Sequence, residues 1–295
     1  MRPFRPRPLG LVAVAFLASH LASAAVAAPI GVVAAENFYG DVARQIGGDA
    51  VSVTSILENP NQDPHLFEAS PSVARAVAGA KIVVYSGIDY DPWMEKLLAA
   101  SPAPGRDTIV VASLIGRKSG DNPHIWYDPA TMRRFAAHFA AALTAVDPAH
   151  KAEFAANLAR FDASLAPIEA KIAALRARLA GTPVAATEPV FGEMFARLGM
   201  VVRDMPFQMA VMNDTEPAAK DVAAFENDLR QHRVRLMVYN AQASDPAAGK
   251  MEKIAHDSGI PVVGASETEP PGTDYQRWMA GELDAVDHAC PAPSH

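Results

Sequence analysis

Residues 148–183 read PAHKAEFAANLARFDASLAPIEAKIAALRARLAGTP. Phe154, Leu158, Phe161, Leu165, Ile168, Ile172, Leu175 and Leu179 recur at alternating intervals of four and three, which draws one apolar stripe along a single α-helix. A helix from residue 148 to about 180 is roughly 45–50 Å long at the usual rise. Pro167 falls inside the stripe and predicts a kink, and Gly181-Thr182-Pro183 stops the helix.

On both sides of this helix, short β-branched runs alternate with helical periods. Before it, strands are expected at 30–34, 51–57, 82–85 and 108–112, with helices near 38–46, 72–78 and 92–100. After it, strands are expected at 184–187, 201–203, 236–239 and 261–264, with helices near 190–198, 218–232, 247–258 and 275–289. Strand–helix alternation implies βαβ units. The predicted fold class is therefore α/β: two Rossmann-like lobes with mostly parallel sheets, 28–146 and 182–295, joined by a long rigid helix at 147–181. Gly199 and Gly259 stand where helix C-caps belong. Residues 213–217 read as a helix start capped by Asp214 or Thr215. Thr-Glu-Pro recurs at Thr187, Thr215 and Thr268 with irregular spacing, which reads as turn chemistry. The methionine-dense stretch 205–212 reads as adaptable packing.

The chain has 295 residues, a net charge of −7, 50% hydrophobic and 20% charged residues, and a mean hydropathy of +0.04. These values exclude a disordered chain and one embedded in a membrane over most of its length. The acidic balance argues against nucleic acid, whose binders neutralise phosphates with Lys and Arg. The one cysteine, Cys290, permits no internal disulfide, zinc finger or iron–sulfur cluster. Residues 1–27 have a basic start (Arg2, Arg5, Arg7), an apolar run from Leu9 to Leu21 and a small-residue site at Ala25-Val26-Ala27, which predicts a cleaved signal peptide. Removing 27 of the 295 residues leaves 268, and losing three arginines takes the charge from −7 to −10. No cysteine follows the leader to carry a lipid, so an exported, unanchored, periplasmic protein is expected.

The sequence holds nine histidines. His138, His150, His232, His256 and His288 fall in helical stretches as ordinary surface or half-buried residues, and His295 is terminal. His65 and His124 stand apart, in Asn59-Pro-Asn-Gln-Asp-Pro-His65-Leu-Phe-Glu68 and Asn122-Pro-His124-Ile-Trp-Tyr-Asp128-Pro129. Each follows a proline in a loop after a strand, so each backbone is stiffened. Nearby carboxylates, Asp63 or Glu68 for His65 and Asp128 for His124, are in place to accept the second ring N–H that a metal-bound imidazole carries. In the C-terminal half, strands run directly into Glu188-Pro189 and into Ser266-Glu267-Thr268-Glu269-Pro270. Ligands of open α/β sheets bind beyond the carboxyl ends of strands, where all four residues fall. Glu188 before Pro189 is placed either to reach a ligand or to cap the next helix. Asn240 and Gln242, after the 236–239 strand, are placed to line the same cleft.

Asp63-Pro64-His65 with Glu68, Asn122-Pro123-His124 with Trp126 and Asp128-Pro129, and Glu188-Pro189-Val190-Phe191-Gly192 resemble the zinc/manganese solute-binding proteins of bacterial metal ABC importers. The resemblance runs over essentially the whole chain after the leader, the long helix included. It implies two α/β lobes clasping one divalent ion, Zn²⁺ or Mn²⁺, carried as cargo to a membrane permease by a monomer that is not an enzyme. By motif, His65 and His124 match the family's two histidine ligands. Glu188 matches the third position, a histidine or glutamate among members. Glu267 is the best match for the acidic fourth ligand, with Glu269 and Asp274 as alternatives. Three departures stand out. Glu193 occupies a place usually aromatic; five residues from Glu188 it lies about 140° away around a helix and is expected to point elsewhere. The histidine-rich loop of many zinc-specific members is absent, since 113–121 contains no histidine. The two-imidazole, two-carboxylate set is harder than a three-histidine set, which suits Mn²⁺ while leaving Zn²⁺ its intrinsic advantage. Because imidazoles must be deprotonated to bind, affinity is expected to fall below about pH 6.5. Two rival readings are a periplasmic metallohydrolase with a His/His/Glu site, in which Glu188 or Glu267 acts as general base, and an importer component for a bulky chelate.

Overall fold

The computed structural model describes residues 28–60 and 67–291, so the expected signal peptide, Asp63 and His65 lie outside the described residues. The first half builds β1 (Ile30–Glu36), α1 (Asn37–Gly47), β2 (Val51–Leu57), α2 (Pro71–Gly79), β3 (Ile82–Tyr85), α3 (Pro92–Ala100), β4 (Asp107–Val110), α4 (Val111–Leu114) and α5 (Pro129–Val146). The link is α6 (Lys151–Ser164) and α7 (Ala166–Leu179). The second half builds β5 (Pro183–Ala186), α8 (Gly192–Leu198), β6 (Val201–Val202), α9 (Met205–Met212), α10 (Ala219–Arg230), β7 (Met237–Asn240), α11 (Pro246–Asp257), β8 (Val262–Ala265) and α12 (Tyr275–Ala289).

Both sheets are parallel throughout and share one topology. The order is β2-β1-β3-β4 in the first lobe and β6-β5-β7-β8 in the second. The strand order therefore reverses between β1 and β3, and again between β5 and β7, the crevices in which such sheets take ligands. Alternate residues bury both faces of each sheet. In β1, Val32 and Ala34 join a central core, while Val33 and Ala35 pack on Val77, Trp93 and Met94 of α2 and α3. In β5, Val184 and Ala186 join the same central core, while Ala185 meets Phe207, Phe225 and Met251 of α9–α11. That central core is continuous across both lobes, and most of the link's stripe, from Phe154 to Leu179, lies in it. α6 packs on α1 and α5, and α7 on α8 and α12.

The link is the expected long helix, divided at its kink into α6 and α7. A 3₁₀ turn at Pro148–His150 leads into α6, and the α-helical pattern breaks at Leu165. Pro167 has no N–H to offer to the carbonyl four residues back, which accounts for the break where the kink was expected. The expected strand 108–112 ends at Val110, where the chain turns into α4. α10 begins at Ala219 behind Ala218, so neither Asp214 nor Thr215 caps it. Asp214 is left-handed at φ +50° and the Thr215 hydroxyl donates to the Ala210 carbonyl, so both finish α9 instead. Among the described residues no helix is long and apolar enough to cross a membrane.

Candidate metal centre

His124 follows α4 and its loop, and Asn122 sets its ring. The Asn122 Oδ1 accepts from the His124 backbone N–H at 3.1 Å and lies 2.8 Å from Nδ1. The Asn122 amide is oriented by its other end, since Nδ2 donates to the Pro189 carbonyl at 2.9 Å and a carbonyl can only accept. Nδ1 therefore carries the proton, and Nε2 presents its lone pair. This corrects the expected role of Asp128, which caps α5 through the Ala130 N–H at 3.0 Å and pairs with Arg197. Close packing holds the arrangement, because a Cβ on Gly192 would stand 2.5 Å from Asn122 Nδ2. Tyr90 and Trp126 wall the ring, with centroids 5.8 and 5.3 Å away.

Glu267, after β8, faces His124 from the other lobe. Its Oε2 lies 3.4 Å from His124 Nε2, and both side chains are wholly buried. Tyr90, after β3, donates its hydroxyl to the same Oε2 at 2.8 Å. Burial, and then the Glu267 charge, push the Tyr90 phenol well above its usual range, so it serves as a donor. Asn240, the last residue of β7, donates Nδ2 to Glu267 Oε1 at 2.5 Å and to Glu188 Oε2 at 3.3 Å. Glu188 thus joins the group through Asn240, and its side chain makes no bond to the turn Pro189–Phe191 that it precedes. Gln242 clamps the Glu267 loop, accepting from the backbone N–H of Glu267 and of Thr268 at 2.6 and 2.9 Å.

The other two acidic candidates stand apart from His124. Asp274 caps α12, accepting from the Arg277 N–H at 2.8 Å. Glu269 lies along the lobe interface, where its backbone exchanges two hydrogen bonds with the Asn37 side chain at 2.7 and 3.0 Å. Burial, reinforced by Asp41 and Asp274, pushes its carboxyl up to about 8. Glu193 is held by Arg117 at 2.8 Å, across the lobes. Among the described residues, no three His, Cys, Asp or Glu side chains form a complete metal-holding group. His124 and Glu267 meet directly, Glu188 reaches them through an amide, and His65 lies outside the described residues.

Residues 32–289 match the model of the family described as zinc-uptake complex component A, periplasmic. The chain belongs to the ZnuA family. Among curated relatives, a manganese ABC transporter substrate-binding lipoprotein, PsaA of Streptococcus mitis, is 22% identical over 299 aligned positions, covering 94% of each chain. The periplasmic zinc binding protein TroA of Treponema pallidum superposes with a TM-score of 0.76 at 17% identity, over 89% of this chain and 99% of its own. A crystal structure of ZnuA gives 0.71 at 22% identity, over 89% and 98%. These likenesses establish the two-lobed fold. Within that ZnuA framework, Tyr90 and the positioning role of Asn122 lie beyond the residues to which the sequence points. Asn122 did leave a signal, an Asx residue two positions before an N–H it accepts. Tyr90 left none.

Proposed function

We propose that this protein captures one divalent ion, Zn²⁺ or Mn²⁺, between its lobes through His65, His124, Glu188 and Glu267, and presents it to the membrane permease of an ABC importer. The observation that carries the reading is the 3.4 Å separation of His124 Nε2 and Glu267 Oε2. Two lone-pair atoms so close, both out of water, call for a cation between them. Ligands about 2.0–2.1 Å from a tetrahedral ion stand about 3.3 Å apart, which matches. Two neutral imidazoles and two carboxylates balance the double charge, so the complex can be buried. Family membership favours capture over hydrolysis, and the relatives' names, one for manganese and one for zinc, support the same cargo class. The protein acts as an exported monomer after loss of residues 1–27.

The test is titration of chelator-stripped protein with Zn²⁺ and with Mn²⁺. One ion per chain is expected, with His65→Ala and Glu188→Gln weakening binding. A stoichiometry far from one, or parent-like binding by His65→Ala, would sink the proposal.

A further inference from the structure

Glu36 closes β1 and Asp91 follows Tyr90, so both stand at the crevice where the first sheet reverses its order. Both are buried, at 0% and 1% exposure. The Asp91 carboxylate accepts the backbone N–H of Ser86 at 2.6 Å and of Gly87 at 2.8 Å. Among the described residues neither oxygen of Glu36 receives a hydrogen bond from an N–H or O–H, and the group beside it is the carboxyl of Asp91. Two carboxyl groups share a hydrogen bond only when one keeps a proton. Two amide donors favour the ionised form of Asp91, and burial with no donor favours the acid form of Glu36. The proton therefore sits on Glu36, which donates.

The segment that Asp91 fastens is strained. Gly87, Ile88 and Asp89 are left-handed in succession, at φ +77°, +51° and +63°, and Ile88 is β-branched, the residue type least suited to that region. A turn of this kind persists only where its surroundings hold it. It ends on Tyr90, whose hydroxyl reaches Glu267 across the cleft. The metal centre thus meets this buried acid through one fastened turn.

We propose that Glu36 is a positioning residue for the metal cleft: as a carboxylic acid it donates to Asp91, which fastens the 87–89 turn and so sets Tyr90 against Glu267. This rests on the metal-capture reading above. It assigns Glu36 no contact with the ion.

The experiment measures Zn²⁺ affinity of the chelator-stripped full chain for Glu36→Met, Glu36→Gln, Tyr90→Phe and the double variant Glu36→Met/Tyr90→Phe. Methionine fills the volume without a donor, while glutamine keeps one. Outer-shell partners change metal affinity by about 10–100-fold, so Glu36→Met and Tyr90→Phe are each expected to lose about tenfold and Glu36→Gln less than about threefold. The double variant is expected to bind no more weakly than Tyr90→Phe alone, because both act through one phenol. Parent-like affinity of Glu36→Met or Tyr90→Phe, equal losses in Glu36→Met and Glu36→Gln, or multiplied losses in the double variant would each overturn the proposal. If Glu36→Met does not fold, Glu36→Gln carries the test: it must keep both its Zn²⁺ affinity and slow hydrogen exchange at the Ser86 and Gly87 amides, and loss of either overturns the proposal. His124→Ala run alongside separates the two readings, since parent-like Zn²⁺ binding there overturns the metal centre itself.

Discussion

Replacing Asn122 by alanine tests how Nε2 of His124, the nitrogen proposed to meet the metal, is prepared. The substitution removes three hydrogen bonds at once: to the His124 backbone N–H, to its Nδ1–H and from Asn122 to the Pro189 carbonyl. The imidazole is wholly buried, so water does not replace the lost acceptor. A buried donor left unsatisfied costs about 1–3 kcal/mol. In the apo protein the ring can relieve part of that by moving its proton to Nε2, toward the Glu267 carboxylate 3.4 Å away. That tautomer cannot bind a metal through Nε2, so the cost reappears on binding. The expected loss of Zn²⁺ affinity is about 10–100-fold, equivalent to about 1.4–2.7 kcal/mol. A chelator-competition titration measures it, with the melting temperature of the stripped protein as the control for folding. Gly192→Ala should show the same loss in weaker form, because its added methyl crowds the same amide. Affinity of Asn122→Ala within twofold of the parent, with the apo protein folded, would refute the tautomer argument.

Adding Zn²⁺ to stripped protein at a hundred times its dissociation constant should stabilise the fold by about 2.7 kcal/mol, read by calorimetry as a higher melting temperature, and His124→Ala should abolish the shift. Glu282 lies beneath the site, where the Trp278 indole donates to it at 3.1 Å, and burial pushes its carboxyl up to about 7. A raised carboxyl binds more protons folded than unfolded, so its contribution is present below about pH 4.5 and is lost as pH rises through about 7. Glu282→Gln should therefore raise apo stability at pH 8 by on the order of 1–3 kcal/mol, read as a higher melting temperature, and change it little at pH 4.5; an equal shift at both values would contradict this. Arg117→Ala should lower apo stability by less than about 1 kcal/mol, since Arg117 is partly exposed and such pairs are weak.

What the sequence disclosed, and what it hid, follows the range of the forces involved. Periodicity is local, so the stripe from Phe154 to Leu179 and the eight strands were legible within a few residues. α5 escaped because alanines pad its face between Phe135 and Phe139 and blur the apolar contrast. The false start at Asp214 arose because a capping residue type serves equally to end a helix, and here the Thr215 hydroxyl turns back to Ala210. At the site, strand-end position brought Glu267 in with His65, His124 and Glu188, and it was the resemblance to the metal-binding family that put Glu267 ahead of Glu269 and Asp274. The partners of those residues were not legible. Asp128 looked like the acceptor for His124, yet a helix N-terminus and Arg197 both compete for it, and neither is visible from the spacing of Asp128 to the histidine. Tyr90 and Glu267 are 177 positions apart and meet only because both sheets pack on one continuous core. Their contact also depends on Ile88 adopting a backbone conformation that its side chain disfavours. A conformation imposed against local preference leaves no local signature, so the residues that aim a site are harder to read than those that form it.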